Sequence, residues 1–134
     1  MLEQRKRILI VEDEEALLST LRDELEDAGF DVDVAVTGDE ALRKIQEQLP
    51  DGVLLDLLFT QGSDGMAVLS HLKQDERTRE LPVVILSNVG DDEYVRHALE
   101  LGAEAFFIKT QHSLRDLTAR LRALLEKRST TDHN

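Results

Sequence analysis

Short apolar runs alternate along this chain with longer segments of helical period, and that alternation is the pattern of an α/β fold built on a parallel sheet. The runs are Ile8-Leu9-Ile10-Val11, Val32 to Val36, Val53-Leu54-Leu55, Val83-Val84-Ile85-Leu86 and Ala105 to Ile108, so five strands are expected. Uninterrupted stretches such as Val83 to Leu86 suit strands covered on both faces, whereas Val32-Asp33-Val34 alternates and suits a strand nearer an edge.

The segments between the runs read as five helices. Leu17, Leu21, Leu25 and Ala28 fall on one stripe that ends at Gly29, a suitable left-handed cap. A second helix spans Gly38 to Leu49 and is stopped by Pro50. A third spans Met66 to Lys73 behind Asp64 as N-cap, and a fourth runs from about Asp91 to Leu101. Leu114, Leu117, Leu121 and Leu124 form the stripe of a fifth, opened by Ser113. Residues 129–134 are polar and without period, so a disordered tail is expected after a single domain over 1–128. No repeat or linker interrupts it, and 134 residues leave no room for a second core.

Composition removes several functions. With 28 Asp plus Glu against 16 Lys plus Arg, the net charge of -12 opposes a phosphate backbone, so no direct nucleic-acid partner is expected. The chain has no cysteine, which excludes disulfides, thiolate nucleophiles and zinc-thiolate sites. Charge interrupts the apolar residues too often for a membrane span. The apolar run behind Arg5-Lys6-Arg7 is too short for an export signal, so a cytoplasmic location without membrane association is expected.

In open α/β sheets ligands sit beyond the carboxyl ends of the strands. The residues there are Glu12 and Asp13 after the first strand, Asp56 after the third, Ser87 after the fourth and Lys109 after the fifth. Each has an ordinary explanation alone. Glu12 and Asp13 open a helix, where the macrodipole favours acids. Ser87 suits a cap or turn hydroxyl, and Lys109 a solvated strand end. Asp56 is harder to explain that way, because an unpaired carboxylate at the mouth of a buried strand is costly. Joint placement at one sheet edge points to phosphoryl acceptance on a carboxylate. Asp56 is then the nucleophile, Lys109 pairs with a phosphoryl oxygen and Ser87 bonds another. Were the first and third strands neighbours, Glu12, Asp13 and Asp56 would share a pocket suited to a hard cation, most plausibly Mg2+.

From Arg7 to about Lys127 the sequence resembles the receiver domain of bacterial two-component response regulators. The resemblance is carried by Ile8-Leu-Ile-Val-Glu-Asp-Glu14, Val53-Leu-Leu-Asp-Leu57, Asp64-Gly65, Leu81-Pro-Val-Val-Ile-Leu-Ser87, Gly102-Ala103 and Phe106-Phe-Ile-Lys109. It implies a doubly wound, flavodoxin-like five-stranded parallel sheet of order 2-1-3-4-5. It also implies phosphorylation of Asp56 by a histidine kinase or phosphotransfer protein. Mg2+ would be held by Glu12, Asp13, Asp56 and the Leu58 carbonyl, with Ser87 and Phe106 as the coupled switch pair.

Three departures from the family pattern stand out. The step from Asp56 to Asp64 is eight residues where seven is usual, Thr110 replaces the usual proline after the lysine, and Phe106 lacks a hydroxyl. The reading that follows is a stand-alone receiver, monomeric or weakly dimeric, acting on a downstream protein target and catalysing only its own phosphorylation and dephosphorylation. Tyr94, Arg96, His97 and Glu100 are its candidate contact residues. Leu58 and Val89, both apolar, stand where a hydrolytic water would approach, which predicts a long-lived phosphorylated form. A receiver-like module that binds partners without phosphorylation is the alternative. A phosphatase of the haloacid dehalogenase type needs an acid two residues beyond the nucleophile, and Leu58 stands there.

Overall fold

A computed structural model of the protein describes residues 5–57, 65–88, 90–110 and 112–132, with side chains described as far as Glu126. Every expected strand and helix forms. The order is β1 (Arg7–Val11), α1 (Glu15–Asp27), β2 (Asp31–Ala35), α2 (Gly38–Glu47), β3 (Gly52–Asp56), α3 (Gly65–Gln74), β4 (Val83–Ser87), α4 (Asp92–Leu101), β5 (Ala105–Ile108) and α5 (Leu114–Asp132). All strand pairs are parallel and the sheet order is β2-β1-β3-β4-β5.

The two-residue period of a strand divides the core into two layers. Ile8, Ile10, Leu54, Val84, Leu86 and Phe107 face one way and meet Leu18, Leu21 and Leu25 of α1 and Leu117, Leu121 and Leu125 of α5. Leu9, Val11, Val53, Leu55, Val83 and Ile85 face the other way, against Ala41 and Ile45 of α2, Leu69 and Leu72 of α3 and Ala98 of α4. Two of the expected helical stripes are therefore rotated slightly. Leu18 and Leu125 are buried, while Leu17, Ala28, Leu114 and Leu124 flank the core half-buried. Gly29 and Gly102 take the left-handed conformation behind α1 and α4, at φ 100° and 118°, as their places in the sequence predict.

Helix α5 reaches Asp132 and so continues through most of the stretch expected to be a disordered tail. Neither glycine nor proline occurs between Leu114 and Asp132, and nothing in that stretch breaks the backbone ladder. Thr37 caps α2 by accepting from the Glu40 amide, and Ser113 accepts from the Asp116 amide at the start of α5. Asp64, the expected cap of α3, lies outside the described residues. Among the described residues no helix is long and apolar enough to cross a membrane.

The edge strand β2 carries a polar cluster in place of a second buried face. Asp33 accepts from Arg7 at 2.9 Å, from Lys44 at 3.2 Å and from the Val34 amide at 2.9 Å. Burial pushes its carboxyl up, but the Val34 amide, Lys44 and Arg7 together hold it below the usual carboxylate range. A carboxyl with a lowered folded-state pKa stabilises the fold above its unfolded pKa, and the contribution is lost as pH falls through the folded value. Asp33→Asn is therefore expected to lower the melting temperature at about pH 7, with the difference from wild type shrinking as pH falls towards about 3. Thermal melts at the two pH values check this; a difference that persists undiminished in acid would contradict it.

Candidate functional site

The chain leaves β1 towards β2 on one side and later returns to add β3 on the other. The loops after β1 and β3 therefore diverge and leave a crevice at the carboxyl edge of the sheet. Val11 and Leu55 lie in register, so Glu12, Asp13 and Asp56 emerge side by side. One carboxylate oxygen from each lies within 4.8 Å of the others. Glu12 and Asp56 are only 1% and 3% exposed, and Asp13 is half-buried. The Glu12 amide still donates to the Ala35 carbonyl at 3.1 Å, so the sheet fixes the backbone from which this side chain departs. Its Oε2 accepts the Glu14 amide at 3.0 Å, whereas Oε1 is buried without a hydrogen bond and has the Lys109 ammonium as an ion-pair partner.

Lys109 follows β5, two strands from β3, and the length of its side chain lets the ammonium reach past the end of β4. Nζ lies 2.9 Å from Glu12 Oε1 and 3.4 Å from Asp56 Oδ2. Burial alone would push the lysine down, but the carboxylates of Glu12 and Asp56 overcome it and hold the ammonium above the usual lysine range. One cation against three carboxylates leaves the pocket acidic. The three converging carboxylate oxygens fit a hard divalent ion such as Mg2+, which takes carboxylate ligands while keeping several waters.

Ser87, the last residue of β4, is 1% exposed and donates to the Phe107 carbonyl at 3.4 Å. Phe106 and Phe107 face opposite sides of β5: Phe106 packs half-buried against the layer of α2, α3 and α4, and Phe107 is buried against α1 and α5. The structure thus brings Glu12, Asp13, Asp56 and Lys109 together, and places Ser87 at the same edge with its hydroxyl engaged by β5. Leu58 and Val89, together with the loop between Leu57 and Gly65, lie outside the described residues.

Two supporting residues escaped the sequence reading. Gly65 was noticed only as half of an Asp-Gly pair, but a Cβ there would fall on the Asp56 carbonyl oxygen and 2.7 Å from Leu57 Cα. Both are backbone atoms that cannot turn aside. His112 had no signal at all. Its Nδ1 accepts the Ile108 amide at 2.9 Å, beyond a Lys109–Thr110 peptide that is trans. Gly65→Ala should cost about 1 to 3 kcal/mol of stability by overpacking, and should weaken Mg2+ binding by displacing Asp56. A denaturant midpoint and a Mg2+ titration both at wild-type values would show that the contact yields freely.

The model of the response regulator receiver domain matches residues 8–122. The phosphate regulon transcriptional regulatory protein PhoB of Rhizobium meliloti is 38% identical over 90% of this chain and 52% of its own length. The alkaline phosphatase synthesis transcriptional regulatory protein PhoP of Bacillus subtilis is 36% identical over 91% of this chain and 49% of its own. The chain thus spans about half the length of the curated relatives it matches. Among solved structures, the receiver domain of NtrX from Brucella abortus superposes with a TM-score of 0.81 at 34% identity, covering 89% of this chain and 98% of that one. A CheY-like receiver domain protein from Methanospirillum hungatei gives 0.86 at 26% identity, covering 96% and 99%. With a matched family model over the whole sheet and an acidic pocket at its carboxyl edge, the chain belongs to the response regulator receiver domains of two-component signalling.

Proposed function

We propose that this receiver accepts a phosphoryl group on Asp56 from a histidine kinase or a phosphotransfer protein. The observation that carries the reading is the Lys109 ammonium held between the buried carboxylates of Glu12 and Asp56. An Asp56 oxygen attacks phosphorus, the new O–P bond forms as the donor's P–N bond breaks, and the donor imidazole leaves with the electron pair. Asp56 acts as a carboxylate and needs no general base. Lys109 stays protonated, so its charge is available to a phosphoryl oxygen, and the chain's main work is positioning and charge stabilisation.

Glu12, Asp13 and Asp56 would hold Mg2+, with the Leu58 carbonyl added by the family resemblance. The bound ion would supply positive charge to the transferring phosphoryl oxygens. The bond from Ser87 to the Phe107 carbonyl, at 3.4 Å, is long for a hydroxyl and easily exchanged for a phosphoryl oxygen. Movement of Ser87 draws Phe106 after it and reshapes the face of α4, β5 and α5, where Tyr94, Arg96, His97 and Glu100 are exposed. The relatives are named as transcriptional regulators. For this chain, a net charge of -12 favours output to a separate protein target over direct contact with nucleic acid. The chain acts in the cytoplasm as a monomer or weak dimer, and its chemistry is confined to its own phosphorylation and dephosphorylation.

Incubation with Mg2+ and acetyl phosphate, followed by intact mass, tests the reading: one phosphoryl group should be gained by the wild type and none by Asp56→Asn. A wild type that gains nothing would leave a module that binds partners without phosphorylation. A separate titration addresses the ion. Since a hard dication needs more than one carboxylate to compete with its hydration, Asp13→Ala should abolish measurable Mg2+ affinity, and an unchanged binding curve would overturn the ligand set.

A further inference from the structure

We infer that His112 is a positioning residue for Lys109, an inference that rests on the phosphoryl acceptance proposed for Asp56. Strand β5 lies at the edge of the sheet, where backbone groups on its open side must find partners other than a strand. Ile108, its last residue, finds both in one side chain and one amide. His112 Nδ1 accepts the Ile108 amide at 2.9 Å, and the His112 amide donates to the Ile108 carbonyl at 3.1 Å. This reciprocal pair closes the loop whose first residue is Lys109. The Lys109 amide donates in turn to the Ser87 carbonyl at 2.8 Å, so the lysine backbone is fixed from the β4 side and from the loop side.

The imidazole is itself held in place. It meets the Phe107 ring edge-on, with centroids 5.3 Å apart and planes at 76°, and the Arg120 guanidinium lies 5.3 Å from the centroid of the same Phe107 ring. The demand on the loop comes from the far end of the lysine, where Nζ satisfies two carboxylates at 2.9 and 3.4 Å. A shift of the lysine backbone would carry the ammonium off both. Thr110 stands after the lysine, so no proline ring restrains the loop there, and among the described residues the His112 pair ties its far end to Ile108.

The pair also needs a neutral ring. Protonated imidazole has two donors and no acceptor, so Nδ1–H would then oppose the Ile108 N–H. His112 lines a small cavity together with Lys109 of its own loop and the apolar Leu17 and Leu21 of α1, and Arg120 of α5 lies over the Phe107 ring that the imidazole meets.

The test compares the rate of phosphoryl gain from acetyl phosphate with Mg2+, read by intact mass, in wild type, His112→Ala and His112→Asn. Asparagine offers an amide oxygen close to the place of Nδ1 and remains an acceptor at every pH. His112→Ala should be slower by about fivefold or more, as expected when a charge-stabilising group is misplaced. His112→Asn should recover most of the rate. Alanine at the wild-type rate, or asparagine as slow as alanine, would overturn the assignment. A wild type that gains no phosphoryl group would instead defeat the reading of Asp56. The Ile108 amide proton shift then decides the role of His112: it should move in His112→Ala and be largely kept in His112→Asn, and a wild-type shift in His112→Ala counts against it.

Discussion

The ion pairs from Lys109 to Glu12 and Asp56 are the contact on which the organisation of this molecule turns, because they hold charge where the fold would otherwise exclude it. Removing an ion from water costs several kcal/mol even after relaxation, and a single ammonium cannot balance three carboxylates. The site is thus held together by covalent attachment to a sheet that is stable for other reasons. Ile8, Ile10, Leu54, Leu55 and Ile85 are fully buried a few residues below the charges. Each such side chain contributes roughly 1.5 to 3 kcal/mol through removal of apolar surface from water. The apolar strand centres stabilise the molecule, and the polar strand ends draw on that stability.

The same strands give the site a route to the surface. Ser87 ends β4 beside β3, and its hydroxyl is engaged by the Phe107 carbonyl of β5. Because successive side chains of a strand point to opposite faces, Phe106 and Phe107 tie β5 to both layers of helices at once. A change in what Ser87 bonds is felt at a backbone group of β5, and β5 cannot shift without altering its packing against α4 on one face and α5 on the other. On the proposed function, a small polar rearrangement at the sheet edge would become a change in packed surface, which well-packed interiors pass on because they deform little.

The sequence disclosed those features that depend on local pattern. Strand existence, helix period and the polar residues at strand ends follow from the alternation of apolar and polar positions, and each was legible. Boundaries were less so: Arg7, Gly52 and Ser87 join strands because backbone pairing does not depend on side-chain polarity. Leu17 and Leu18, like Leu124 and Leu125, compete for the same stripe, and only the neighbouring helix decides which turns inward. Gly65 and His112 were hidden for a further reason. The glycine, at the start of α3, matters because the backbone at the end of β3 passes within reach of its missing Cβ, and the histidine because an edge-strand amide needs an acceptor. Neither condition exists until the tertiary structure does.

The loop after the acceptor shows how the fold tolerates departure from its family pattern. The step from Asp56 to Asp64 is one residue longer than usual, and such a change beside a nucleophile would be expected to disturb it. Yet the Gly65 amide donates to the Leu57 carbonyl at 2.9 Å, and Gly65 itself rests against the Asp56 carbonyl and Leu57 Cα. These contacts close the loop at its base, immediately beyond the acceptor. Lengthening a loop whose ends are already fixed costs little entropy. Asp56 therefore takes its position from β3 and from the close approach of Gly65, whose missing Cβ leaves room for the Asp56 carbonyl.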